Sequence, residues 1–207
     1  MGLKKLWQGV SLASLLTLGS VANVSANDEN FIFNTKSLLA IEGGYSTFDV
    51  DNDYNSQFPF NTIHPTESYD AGHVGLKIGA EGDDFRVFLS AKNFFIGSEY
   101  DYFVTLGTEI DYKFNFSKIA NFYIGANGGY LFSKFQADNE SFNRKIDGFY
   151  YGGELGFNFH ISPRFDIELG ARIMDTADAS DSTGAVKYTL DYIAEGYTSF
   201  IIKFDMD

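Results

Sequence analysis

From Ser37 to the end of the chain, apolar side chains recur at every second position. That is the period of a strand with two unlike faces, not the 3.6-residue period of a helix. Eight such segments are predicted. The first, about Leu38 to Phe48, sets Leu39, Ile41, Gly43 and Tyr45 against Ala40, Glu42, Gly44 and Ser46. The second, about Gly72 to Glu81, sets Val74, Leu76, Ile78 and Ala80 against His73, Lys77 and Glu81. In the third, Phe85, Val87, Leu89 and Ala91 alternate with Arg86, Ser90 and Lys92; in the fourth, Val104 to Phe114 alternates with Thr105, Glu109, Asp111 and Lys113. Phe122 to Phe132 opposes Asn127 and Ser133, Tyr151 to Phe159 opposes Glu154, Asn158 and His160, and Phe165 to Ile173 opposes Asp166, Glu168 and Arg172. The last, about Tyr188 to Phe204, sets Thr198, Phe200, Ile202 and Phe204 against Glu195, Ser199 and Lys203. No charged residue falls on the apolar face of any of the eight.

The connections alternate too. Long segments, Asp49 to Ser68, Asn93 to Asp101, Lys134 to Gly148 and Asp175 to Lys187, are interleaved with the shorter Gly82-Asp83-Asp84, Asn115 to Asn121 and Ile161 to Arg164. An all-β, antiparallel up-and-down barrel with one elaborate end and one trimmed end produces this rhythm. Period two does not say which face points inward, since a soluble barrel around a greasy ligand and a membrane barrel share it. Four features select the eight-stranded transmembrane barrel. Aromatics on the apolar face gather at strand ends: Phe85, Tyr112, Phe114, Phe122, Phe159, Phe165 and Phe204 toward the short turns, and Tyr45, Tyr102, Tyr130, Phe132 and Tyr151 toward the long loops. Such paired belts mark the two interfaces of a bilayer. Glycines (Gly44, Gly75, Gly79, Gly107, Gly125, Gly129, Gly152, Gly156, Gly170) lie mainly on the polar face, where they leave room in a narrow lumen. That face carries both signs, with Glu42, Glu109, Asp111, Glu154 and Glu168 among Lys77, Arg86, Lys92 and Arg172, so its charges can pair internally. Each strand is about 10 residues long, the span of a tilted strand across a bilayer.

Composition fits this picture. The 207 residues include 22 Phe, 13 Tyr and 21 Gly, no Cys, and a formal charge of -13, while mean hydropathy is an ordinary -0.13. The average conceals one face with almost no charge and another that holds most of it. The absence of Cys excludes disulfides, thiolate metal sites and cysteine nucleophiles. The acidic balance argues against nucleic acid as a partner, because phosphate neutralisation needs clustered Lys and Arg. Residues 1–26 read as a secretory signal peptide: Lys4 and Lys5, an apolar run from Leu6 to Leu18, and the small-residue end Val24-Ser25-Ala26. The run is too short for a spanning helix, which needs roughly 20 residues. Residues 27–36 form a short leader, and 37–207 the barrel.

The stretch from Tyr151 to Arg172, YGGELGFNFHISPRFDIELGAR, resembles the strand, Ser-Pro turn and strand of small OmpA/OmpX-like and opacity-type outer-membrane barrels. The resemblance covers Leu38 to Phe204 as architecture. It implies a Gram-negative outer-membrane location, handling by periplasmic chaperones and the barrel assembly machinery, and contact with outer-membrane lipid and lipopolysaccharide. The family usually ends on an aromatic residue; here Phe204 is followed by Asp205-Met206-Asp207, and Ser199 stands where a Gly is common.

Chemical motifs are sparse. Asp49-Val-Asp51-Asn-Asp53 opens like a calcium loop, but Tyr54 at the sixth position and Phe60 at the twelfth depart from the EF-hand pattern. What remains is an acidic loop that could hold divalent cations loosely. His160-Ile161-Ser162 is similar to the His-x-Ser of outer-membrane lipid A deacylases, yet Pro163 places it at a short turn, whereas those enzymes work at the opposite end. His64 and His73 stand alone in the sequence and suggest no metal site. Glu109 and Asp111 could pair as carboxylates, with Lys113 nearby pointing to a structural network instead. No cofactor, metal site or catalytic residue is expected. The reading is a monomeric, non-enzymatic outer-membrane barrel serving envelope integrity or surface interaction through long acidic loops. The lumenal set Glu42, Lys77, Arg86, Lys92, Glu109, Asp111, Glu154, Glu168 and Arg172 either cross-links the interior or lines a narrow ion path, and a lipid A-modifying enzyme is the remaining alternative.

Overall fold

A computed structural model describes residues 35–54, 66–96, 100–136, 143–177, 179–183 and 186–205. The expected signal peptide, the expected leader up to residue 34, His64 and Phe60 lie outside these. Nine strands run in chain order: β1 (Lys36–Tyr54), β2 (Thr66–Glu81), β3 (Phe85–Phe95), β4 (Tyr100–Phe114), β5 (Ala120–Gln136), β6 (Asn143–Ser162), β7 (Phe165–Ala177), β8 (Ser180–Thr183) and β9 (Val186–Asp205). Each long strand pairs antiparallel with its sequence neighbour, β7 pairs with β9, and β9 returns to β1, so eight strands close the cylinder. Closure leaves the ring no unpaired edge, the condition under which strands can cross lipid. No described helix is long and apolar enough to cross a membrane; the strands have that task.

Two differences from the sequence reading concern the loop end. The first strand continues past Phe48 to Tyr54 and the second begins at Thr66, so both ends of the expected Asp49 to Ser68 loop belong to a paired ladder, with Asp51 opposite Thr66. Within the expected Asp175 to Lys187 segment a short extra strand, β8, pairs with the start of β9 through Ser180 and Thr189. Neither extension has one consistently apolar face in the sequence, so both lack the alternation by which the other strands announce themselves. The β1–β9 register also slips between Phe48 and Val50, where Asp191 and Tyr192 of β9 oppose Asp49 alone. Such a bulge bends and twists a barrel rim.

The polarity of the barrel is inverted relative to a water-soluble protein. Outward positions are apolar and exposed: Ile41 59%, Leu76 58%, Ile110 51%, Leu155 50% and Phe200 50%. Inward positions are charged and buried, including Glu42, Lys77, Arg86 and Arg172, each at 3% or less. A continuous apolar exterior of this extent is a surface for lipid, since in water it would be an aggregation site. This decides between the two barrel readings that period two leaves open.

Candidate functional site

The lumen has three zones, each set by which residue types fall on the inward parity of the strands. At the loop end that parity supplies Phe48 and Val50 from β1, Phe94 from β3, Phe103 from β4, Leu131 from β5, Ile146 from β6, Met174 from β7, and Leu190 and Ile193 from β9, which form one buried apolar cluster. Its aromatic rings pack directly, with Phe48 stacked on Phe103 at 5.4 Å and Phe94 edge-on to Phe103 at 4.7 Å. The sequence pattern predicts an inward face that is polar throughout; the apolar plug at the loop end departs from it.

Below it lies the charged layer. Arg172 is its hub. Its Nη1 donates to Glu42 Oε1 and Glu195 Oε2, each at 2.9 Å, its Nε donates to Glu154 Oε2 at 2.9 Å, and its Nη2 donates to Glu109 Oε1 at 3.2 Å. Lys77 Nζ lies 2.5 Å from Glu42 Oε2, 3.0 Å from Glu109 Oε2 and 3.4 Å from Glu168 Oε1. Arg86 reaches Asp111 at 2.7 Å and Glu168 at 2.5 Å, and Lys92 reaches Glu195 at 3.2 Å. All nine residues predicted as a lumenal network are therefore brought together. Glu109 and Asp111 serve different cations, and neither forms a carboxylate pair with the other. The sequence reading placed Glu195 and His73 on the polar face without assigning them to the network. His73, solitary in the sequence, lies with Nε2 3.3 Å from Glu42 Oε1.

Aromatic rings cover the cations. Tyr197 lies 4.1 Å from the Arg172 guanidinium carbon and 4.8 Å from Lys77 Nζ, while Phe88 and Tyr123 flank Arg86 at 4.9 and 4.8 Å. A cation over a ring face in a dry site gains an attraction that partly offsets lost hydration. The Tyr123 and Tyr197 hydroxyls bond each other at 2.8 Å. The inward glycines make this packing possible. A methyl group at Gly107 would strike the Tyr150 hydroxyl, one at Gly156 would lie 2.5 Å from the Tyr123 hydroxyl, and one at Gly170 would lie 2.5 Å from the Tyr197 ring. Glycine here makes room for large side chains projecting from other strands.

At the short-turn end a second cluster links Lys113, Glu81, Lys203 and Asp166, with Lys203 bridging Glu81 at 3.1 Å and Asp166 at 2.6 Å. His160 joins it through Nδ1, 3.0 Å from Asp166 Oδ1. Ser162 is exposed and its Oγ accepts from the Arg164 N–H at 3.3 Å. Neighbours in sequence, His160 and Ser162 thus serve different surroundings, one turned to the lumen and one at the turn.

The predicted interface aromatics stand on the outer face. Tyr45 and Phe85 are 59% exposed, Phe204 50%, and Tyr112, Phe114 and Phe159 are exposed as well, while Phe122, Tyr130 and Phe165 are partly shielded by neighbouring rings and strands. They touch one another around the rim: Phe85 with Tyr112 at 5.1 Å, Tyr112 with Phe114 at 4.8 Å, Phe114 with Phe122 at 5.9 Å, and Phe122 with Phe157 at 5.4 Å. Toward the loops, Asp49 and Asp51, read as the start of a cation loop, stand on β1 and accept from Ser68 and Thr66 at 2.6 and 2.7 Å. Tyr151 donates to Asp175 at 3.0 Å, and Lys134 pairs with Asp101 at 2.5 Å.

No protein-family model and no curated protein sequence matches the chain. Solved structures do. Neisserial surface protein A superposes with a TM-score of 0.56 at 13% identity, covering 80% of this chain and 97% of that one. The outer membrane protein OprG from Pseudomonas aeruginosa gives 0.51 at 19% identity, covering 84% and 99%. The fold is that of the small eight-stranded outer-membrane barrels, and its apolar exterior suits a lipid bilayer.

Proposed function

We propose that the protein is a non-enzymatic outer-membrane barrel that contributes to envelope integrity and surface interaction through its long acidic loops, with lipopolysaccharide as its nearest partner. One observation carries this reading: buried side chains occupy the described lumen in three successive groups, the apolar cluster around Phe103, the Arg172 network and the Glu81–Lys203 cluster. A filled interior transfers any recognition to the rim and the loops. There Asp49, Asp51, Glu67, Asp101, Asp147, Asp175 and Asp191 supply negative charge that divalent cations can bridge to lipid phosphates. His160 stays a structural partner of Asp166 in this reading.

Two measurements test it. Replacing Asp49, Asp51, Glu67, Asp101, Asp147, Asp175 and Asp191 by their amides should leave a folded barrel yet return the resistance of cells to detergents and large antibiotics to that of a deletion strain. Full complementation by the neutralised barrel would contradict the reading. In planar bilayers the folded protein should give no single-channel openings; steady unitary currents would instead favour the narrow ion path.

A further inference from the structure

The charged layer of the lumen does not balance by itself. Among the described residues it sets six carboxylates (Glu42, Glu109, Asp111, Glu154, Glu168, Glu195) against four permanent cations (Lys77, Arg86, Lys92, Arg172), all buried. The short-turn cluster, by contrast, matches Glu81 and Asp166 with Lys113 and Lys203. With every carboxylate ionised, two negative charges have no partner cation in a dry layer, where uncompensated charge is strongly unfavourable.

Unused ligand atoms lie in the same layer. His73, Glu42 and Glu195 each place one ligand atom within 4.8 Å of the other two, and all three residues are buried. His73 Nε2 and Glu195 Oε1 have no hydrogen-bond partner. The other ring nitrogen, Nδ1, is 2.8 Å from Ser46 Oγ. An Nδ1–H donated to that hydroxyl oxygen leaves the Nε2 lone pair facing the carboxylates, as in a metal-ligating histidine whose other ring nitrogen is held by a hydrogen-bond acceptor. The ring is also held in place. Gly44 leaves the space it occupies, since a methyl group there would lie 2.6 Å from His73 Cε1, and Phe94 packs against it at 5.4 Å. Lys92 and Arg172 engage Glu195 through Oε2, leaving Oε1 unused. Glu42 Oε1 accepts from Arg172 Nη1 at 2.9 Å and would be shared, since a carboxylate has lone pairs enough to serve a guanidinium and a metal together.

We propose that His73, Glu42 and Glu195 form a lumenal site for one divalent first-row metal ion of the zinc class. An imidazole with two carboxylates suits such ions, and a charge of two closes the deficit of the layer.

The experiment uses the full barrel, stripped with chelator in denaturant and refolded into detergent with and without zinc chloride, then desalted and assayed for bound metal. Zinc should remain at about one ion per folded barrel. Its X-ray absorption fine structure should show one imidazole nitrogen among oxygen ligands near 2.0–2.2 Å. Ser46→Ala should weaken binding about 10-fold, and His73→Gln by more than about 100-fold. Glu195→Gln should also weaken it, with His160→Gln as the neutral control and gel mobility reporting folding in each. A wild-type barrel that folds and keeps no zinc, a shell without imidazole, or a folded His73→Gln variant that binds zinc as well as wild type would each overturn the proposal. The first two of these need no variant.

Discussion

Arg172 shows what a single inward residue does in this barrel. It is fully buried and bonds four carboxylates, Glu42, Glu109, Glu154 and Glu195. Arg172→Ala would leave these in a dry interior without their shared cation, so the folded barrel should lose about 3–5 kcal/mol in reversible urea unfolding. Arg172→Lys should recover only part of this, because an ammonium lacks the planar fork that serves several partners at once. The glycines make a complementary case. At Gly107 a methyl group meets the Tyr150 hydroxyl and lies 2.8 Å from the Gly128 carbonyl, whereas at Gly128 its nearest neighbour is 3.4 Å away. Gly107→Ala should cost about 1–3 kcal/mol. Gly128→Ala should stay within about 0.5 kcal/mol by the same unfolding assay. The parity of these residues was readable in the sequence, since a strict two-residue period assigns every position to one face. Their partners were not: that Tyr150 reaches Gly107, or Arg172 reaches Glu42, depends on side chains that reach past a shared neighbouring strand, β5 in one case and β9 in the other.

At the scale of the strands, the outer face carries the argument. Leu76 of β2 is 58% exposed between the two aromatic belts, while Tyr45 of β1 is 59% exposed in the belt toward the loops. Equal exposure should conceal unequal cost. Leu76→Arg should lower the folding free energy in lipid vesicles by about 2–4 kcal/mol, and Tyr45→Arg, near the interface, by about 0–1 kcal/mol in its charge term. Equal penalties at both positions would contradict a lipid-facing band with that depth. Strand existence was legible wherever one face is apolar. It failed at residues 49–54, 66–71 and 180–183, where neither face is consistently apolar and pairing is set by the continuing ladder and the bulge at Asp191 and Tyr192. The apolar plug escaped notice for a related reason: Phe48, Phe94, Phe103 and Ile146 lie at or beyond the predicted strand ends, where the outward partners are no longer uniformly apolar.

The whole molecule is a closed ladder whose exterior suits lipid and whose interior is held by charge pairs under an apolar cluster. Neither half is stable in the environment of the other. This explains why mean hydropathy, at -0.13, conveys so little about the chain. It also fixes what a direct test must detect, namely a compact, membrane-embedded barrel that heat unfolds. Cells expressing the protein are fractionated, and the membrane extract is run on a denaturing gel with and without boiling. The account predicts that the protein is found in the outer-membrane fraction and that its mobility changes on boiling. A protein recovered in the soluble periplasmic fraction, with identical mobility before and after heating, would contradict it.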